Sequence, residues 1–281
     1  MERRDDTLSL NGLNFHVTEW GDPAARPLVT MHGIRGYAET FAGVAAALQP
    51  EFRVIGFDQR GRGKTEWDPA WNYYTDAYVA DLAALVDHLE LASFDLLGHS
   101  MGGINALVYA AQNPGRVDRL VIEDAGPGAF DTSAGAVRIR KELATTPSDF
   151  ETWEQAADFM RALRPTVSEA ARQQRLQQML KETSKGQWTW RYDHVGIAAT
   201  RLQPDPARVV DLRPCVQAIQ CPTLVVRGGR SDYLQPEMVS EMLRLNPGLQ
   251  ITEIADAGHY IHDDQPERFN QVLRQFLSRR P

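Results

Sequence analysis

Leu96-Leu97-Gly98-His99-Ser100-Met101-Gly102-Gly103 is the stretch whose reading decides what kind of chain this is. A short apolar run, Phe94–Leu97, leads into it as a buried strand, and residues of helical spacing, Ile104–Asn113, lead out of it. Between them stands the pattern Gly-x-Ser-x-Gly. A serine held on a sharp strand-to-helix turn needs strained backbone angles. Side chains two residues before or after it would collide with the strand or the helix, so glycine fits at both places. Such a turn lifts the serine Oγ clear of the sheet, while the helix N-terminus aims backbone N–H groups at any negative charge that forms nearby. A glycine-rich turn with a capping serine would look the same in isolation, so the surroundings decide.

The chain opens with two β-prone runs, Thr7–Leu10 and Leu13–Trp20, on either side of Asn11-Gly12. That dipeptide tolerates positive φ at both residues and predicts an antiparallel hairpin. After the turn at 21–23, apolar runs alternate with helical patterns. The runs are Pro27–Met31, Arg53–Phe57, Phe94–Leu97, Leu120–Ile122, Thr223–Val226 and Leu249–Ile254. The helical stretches are Thr40–Leu48, Thr75–Leu89, Ile104–Asn113, Pro236–Leu245 and Gln265–Ser278. Continuous apolar strands alternating with helices describe a mostly parallel sheet covered on both faces, here of eight strands. The alternation lapses from Gly126 to Asp211, where amphipathic helices at Glu151–Leu163 and Ser168–Leu180 are expected and no buried strand is. An interruption of roughly 80 residues is too long for a structureless loop and predicts a helical subdomain over one end of the sheet. The expected division is a core at 1–125 and 212–281 with a helical cap at 126–211.

Composition sets the outer limits. Of the 281 residues 43% are hydrophobic and 24% charged, ordinary for a globular protein with a sizeable core. The net charge of −7 comes without a block of like charge, so no nucleic-acid or anionic-membrane partner is expected. The start, MERRDDTLSL, lacks the apolar run of a signal peptide, and no later run reaches the length of a membrane span. A cytoplasmic protein is expected, monomer or homodimer, with a small-molecule substrate. Cys215 and Cys221 have no clustered His or Cys partners, so they read as free thiols and no metal site is expected.

Five segments in order resemble the α/β-hydrolase fold family. Met31-His32-Gly33-Ile34-Arg35-Gly36 looks like the family's loop after the third strand. Asp58-Gln59-Arg60-Gly61-Arg62-Gly63-Lys64-Thr65 looks like its loop after the fourth, with Thr where the family pattern has Ser. The serine turn is Gly98–Gly102, the acid loop is Gly228-Gly229-Arg230-Ser231-Asp232, and Ala257-Gly258-His259 closes the set. The resemblance implies the α/β-hydrolase fold with a cap. It also implies Ser100 as nucleophile, His259 as its base and Asp232 as the carboxylate that orients the base, the order Ser, Asp, His being that of the fold. Backbone N–H groups of Ile34 and Met101 would form the oxyanion hole, and no cofactor is implied.

The residues leave some choices open. Asp124 ends the sixth strand and is the alternative acid, because the fold sometimes takes it from there. His32 and His99 sit inside backbone motifs and read as structural, while His262, three residues past the base, reads as a neighbour on the pocket rim. His194 belongs to the insertion, where it would line the pocket or only pack. Trp188, Trp190, Arg191 and Tyr192 form an aromatic and cationic group whose first reading is packing between cap helices. The second is substrate contact, with Arg191 gripping a carboxylate. The expected reaction is hydrolysis of a carboxylic ester, thioester or lactone through an acyl-enzyme. Alternatives with the same triad are C–C bond or amide hydrolysis and cofactor-free perhydrolysis, and the most distant is a non-enzymatic small-molecule receptor.

Overall fold

The computed structural model describes residues 2–129, 133–165 and 167–278. Asn11 and Gly12 take φ of 49° and 81°. They join β1 (Arg3–Leu10) to β2 (Leu13–Trp20) with Leu10 opposite Leu13, the two-residue hairpin that the Asn-Gly dipeptide predicts. The remaining strands follow as β3 (Arg26–Met31), β4 (Phe52–Phe57), β5 (Phe94–His99), β6 (Val117–Glu123), β7 (Asp149–Phe150), β8 (Leu180–Glu182), β9 (Trp188–Trp190), β10 (Thr223–Gly228) and β11 (Gln250–Ile254). Eight of them form one sheet in the order β1-β2-β4-β3-β5-β6-β10-β11. The β1–β2 and β2–β4 pairs are antiparallel and the other pairs parallel.

The parallel strands are apolar on both sides because both sides are covered. Val29, Leu96, Leu120, Ile122 and Val225 face a core shared with the helices Thr75–His88 and Met101–Gln112. Their neighbours Leu28, Leu97, Val121, Leu224 and Val226 face the opposite core with Ala42–Leu48 and Pro266–Leu277. The period-two exchange between faces is the pleat itself. The chain runs from β3 to β4 on one side and then crosses to β5 on the other, so the strand order reverses between β3 and β5. In open α/β sheets ligands bind at the carboxyl ends of the strands flanking such a point.

Between β6 and β10 the expected helices Trp153–Leu163 and Glu169–Met179 are joined by Ala134–Thr145 and His194–Leu202. The expectation of an all-helical segment is corrected: β7, β9 and β8 form a small antiparallel sheet. Strands of two or three residues are too short to show a period in sequence. The third core cluster explains the segment's seat. It gathers Phe150, Leu176, Trp190 and Ile197 from this region with Ile34, Met101 and Tyr233, which follow the carboxyl ends of β3, β5 and β10. Positions 130–132 and 166 of the stretch lie outside the described residues.

Candidate active site

Ser100 sits between β5 and the helix Met101–Gln112 at φ 52°, ψ −118°, a strained conformation for a residue with a side chain. The flanking glycines answer the collision argument directly. A Cβ on Gly98 would lie 2.3 Å from the Gly102 carbonyl oxygen, and one on Gly102 would lie 2.1 Å from that of Met31. The turn is tied to the next strand by Ser100 N–H donating to the Glu123 carbonyl at 2.9 Å.

His259 follows β11 and places Nε2 2.9 Å from Ser100 Oγ. Its Nδ1 lies 2.7 Å from Asp124 Oδ2. The serine is 4% exposed, the histidine 5% and the aspartate 0%, so the three-membered chain is shielded from bulk water, and its hydrogen bonds are stronger than they would be in water. The carboxylate that meets His259 is therefore that of Asp124, and not that of Asp232, where the resemblance puts it. Asp124, at φ 50° just past the end of β6, accepts from the Gly228 amide at 3.1 Å and from the Ser231 hydroxyl as well as from the imidazole. Asp232 points the other way and takes the Arg138 guanidinium in both oxygens, at 2.8 and 2.9 Å. Arg138 belongs to the helix Ala134–Thr145, whose Gly135 N–H also donates to the Asp232 carbonyl at 2.8 Å. In the turn after β10, Ser231 faces inward to Asp124 and Asp232 faces outward to Arg138. The Arg138 hydrogen bonds hold the Asp232 carboxyl below the ordinary aspartate range, against the opposing effect of burial.

Around this chain the histidines have settled places. His32 donates from Nδ1 to the Gly33 carbonyl and accepts the Gln59 amide at Nε2; burial lowers its pKa to about 4, so it is neutral and structural. His99 donates from Nε2 to the His259 carbonyl at 2.9 Å. Burial, with His259 and His262 nearby, keeps it well below the ordinary histidine range. His262 is not on the rim. It is buried against Glu123, with Nδ1 2.8 Å from Oε1; burial opposes its charging, but Glu123 and Asp263 outweigh that and raise its pKa. His99, Glu123 and His262 bring ligand-type atoms within 4.8 Å of one another. His99 Nε2 and His262 Nδ1 in that group are engaged in the hydrogen bonds just described, which hold the backbone around His259.

A cavity of about 310 Å³ opens over Ser100, lined there by Ile34, Met101 and Tyr233 and on the insertion side by Ala136, Ile139 and Leu143. Trp188, Trp190, Arg191 and Tyr192 are not among its lining residues. Trp190 is fully buried against Phe150, Phe159 and Tyr192, Trp188 meets Trp153 edge-on at 4.7 Å, and Arg191 donates to the Leu180 carbonyl at 2.8 Å. The packing reading of this group is the structural one; the substrate-contact reading is corrected, because β9 carries these residues into the insertion's own core and its outer surface. His194, at the start of the helix His194–Leu202, does not line the cavity either.

Two residues escape a reading of the sequence by itself. Ser231 passes unnoticed beside a better-known acid position, although its hydroxyl binds Asp124 and accepts the Tyr233 amide at 3.1 Å. Arg62, one of three cations in Arg60-Gly61-Arg62-Gly63-Lys64, is fully buried. It donates to the Ile34 carbonyl at 3.1 Å and to Met101 Sδ at 3.4 Å, clamping together the two loops that flank Ser100.

Comparison with known proteins agrees with this architecture. Residues 26–266 match the family described as alpha/beta hydrolase fold. The sn-1-specific diacylglycerol lipase ABHD11 of Mus musculus is 32% identical over 95% of this chain and 85% of its own. N-formylmaleamate deformylase of Pseudomonas putida is 30% identical over 96% and 95%. Among solved structures, E-2-(acetamidomethylene)succinate hydrolase superposes with a TM-score of 0.88 over 99% of this chain and all of that one, at 23% identity. No described helix is long and apolar enough to cross a membrane. With its sheet order, its serine turn and a family match across most of its length, the chain belongs to the α/β-hydrolase family and is a hydrolase.

Proposed function

We propose that the protein is a serine hydrolase acting on carboxylic esters, thioesters or lactones of small molecules, with Ser100, His259 and Asp124 as its triad. The observation that carries this reading is the unbroken hydrogen-bonded run from Ser100 Oγ through the imidazole to Asp124, ending at a cavity. A serine hydroxyl is a poor nucleophile at neutral pH until a base takes its proton. Here His259 Nε2 accepts that proton as Oγ adds to the substrate carbonyl. The buried Asp124 carboxylate holds Nδ1–H in place and stabilises the imidazolium. Collapse of the tetrahedral adduct breaks the bond to the leaving group, which takes the proton from Nε2, and leaves an ester on Ser100. Water then adds by the same route, and the carboxylic acid departs with Ser100 restored.

The charge that builds on the carbonyl oxygen needs donors already in place, and the Met101 and Ile34 amides are assigned that part. Both residues line the cavity beside Ser100, and Arg62 ties one to the other; losing one such donor typically costs about 10²–10³ in rate. The segment 126–211 acts as the cap that closes the cavity. Amide hydrolysis is the second reading, favoured by the relative named for a deformylase, and it uses the same residues. Ser100→Ala should reduce turnover of 4-nitrophenyl esters by at least about 10⁴-fold with the far-ultraviolet circular dichroism unchanged. Turnover surviving in that variant would remove Ser100 from the chemistry.

A further inference from the structure

Beside the run from Ser100 through His259 to Asp124 lies a second carboxyl and imidazole that the chemistry does not use, Glu123 and His262. The sheet sets their surroundings. His99 and Glu123 are register partners in the parallel pair of β5 and β6, so the residue before Ser100 stands opposite the residue before Asp124. Each of the two reaches the loop that carries His259. His99 Nε2 donates to the His259 carbonyl at 2.9 Å. The Glu123 carboxylate accepts the His262 backbone N–H at 2.9 Å and its ring Nδ1–H at 2.8 Å, while the Glu123 carbonyl accepts the Ser100 N–H at 2.9 Å. One residue thus ties the serine turn to the histidine loop, and its chain neighbour is Asp124. The loop is also braced within itself, Gly258 N–H donating to Asp264 Oδ2 at 2.7 Å, so a tether on His262 fixes where His259 stands.

Stability alone gives no reason for such a pair. The Glu123 side chain is fully buried and that of His262 is 4% exposed. Taking both groups out of water costs about what their attraction returns, and apolar side chains of similar size often hold a core as well or better. What apolar side chains lack is direction: a carboxylate that takes two donors from one residue sets distance and angle together. Direction matters here, because the His259 ring has to meet Ser100 Oγ at 2.9 Å on one side and Asp124 Oδ2 at 2.7 Å on the other, and a displacement of about 1 Å in such a site can cost about 10²-fold in rate. Resting on the serine-hydrolase reading above, we infer that Glu123, acting through His262, is a positioning residue that holds the His259 imidazole in line between Ser100 and Asp124. Neither Glu123 nor His262 lines the cavity over Ser100, so their effect falls on kcat and leaves KM alone.

The test replaces the pair as a whole. Glu123→Met combined with His262→Phe removes both ionisable groups and keeps the bulk, and the rings of Phe41 and Phe269 already flank position 262 at 5.1 and 6.4 Å. The double variant should melt within a few degrees of wild type, yet turn over 4-nitrophenyl acetate with kcat lower by about 10²-fold and KM within about twofold. Glu123→Gln keeps an acceptor for the His262 amide and should lose less, about three- to tenfold in kcat. A second measurement needs no turnover: the His259 Nδ1 proton, hydrogen-bonded to Asp124, gives a far-downfield resonance, identified by its loss in Asp124→Asn. That resonance should move upfield in the double variant. A folded double variant that keeps the wild-type kcat, or whose resonance stays in place, overturns the proposal. If the double variant does not fold, Glu123→Gln decides: a lower kcat at unchanged KM supports the positioning role, and a wild-type kcat overturns it. If wild type cleaves no ester, the ester reading is what fails, and Glu123 is judged by the resonance alone, its movement in the Glu123→Gln protein supporting the role and its constancy overturning it.

Discussion

Two loops at the carboxyl end of the sheet each offer an aspartate, and their fates differ. Asp124, one residue past β6, is fully buried and meets an imidazole, a hydroxyl and a backbone amide. Asp232, past β10, has a side chain 38% exposed and meets one guanidinium of equal exposure. The same functional group is thus a buried partner of an imidazole in one place and a half-exposed clasp between core and insertion in the other. What separates them is direction, since Ser231 turns inward to reach Asp124 and leaves Asp232 to turn out. The two loops cooperate, with β10 supplying a hydroxyl and an amide to the acid that β6 provides.

That contrast can be broken or sharpened by substitution. The largest effect belongs to Asp124→Asn, which should cut kcat by about 10³–10⁴-fold because the amide no longer holds the imidazole in the right tautomer. If Asp232→Asn proves the more damaging of the two, the assignment made here is reversed. Ser231→Ala comes next: the Asp124 carboxylate loses a donor but keeps His259 and Gly228, so kcat should fall about tenfold with little change in KM. A rate equal to wild type would make the hydroxyl a bystander. Asp232→Asn should cost less than about threefold in kcat and, for a pair this exposed, about 0.2–1 kcal/mol in stability, read as a melting temperature lower by at most a few degrees.

The smallest effect is the pH dependence of that last difference. The folded Asp232 carboxyl is held below its unfolded pKa. Its contribution is therefore complete above the ordinary aspartate range and fades as pH falls through the lower folded value. Melting temperatures of wild type and Asp232→Asn should differ at neutral pH and converge under strong acid. A difference that persists after acidification would place its cause outside the Arg138 pair.

Much of the site was legible without coordinates. Gly98-x-Ser100-x-Gly102 announces its turn because only glycine escapes the backbone contacts that the turn creates, and Asn11-Gly12 announces its hairpin by the same steric logic. His259 is legible through its place after the last strand. The acid is less so. Glu123, Asp124 and Asp232 all stand at strand ends, and spacing along the chain says nothing about which side chain turns toward β11. In the insertion, three strands of two or three residues carry no period. The Trp188–Tyr192 group, eye-catching as a string of letters, is spent largely on that insertion's core. Arg138 and Arg201 are ordinary helix cations in the sequence, and only the fold places one against Asp232 and the other in the cavity.

The sequence by itself determined the parallel sheet, the serine turn and the presence of a long insertion. These depend on local sterics and on the alternation of apolar residues, which neighbouring letters encode. Only the tertiary structure decided which carboxylate meets His259 and which arginines line the cavity over Ser100. Those outcomes depend on distances between residues more than a hundred positions apart, set by the packing of whole strands and helices.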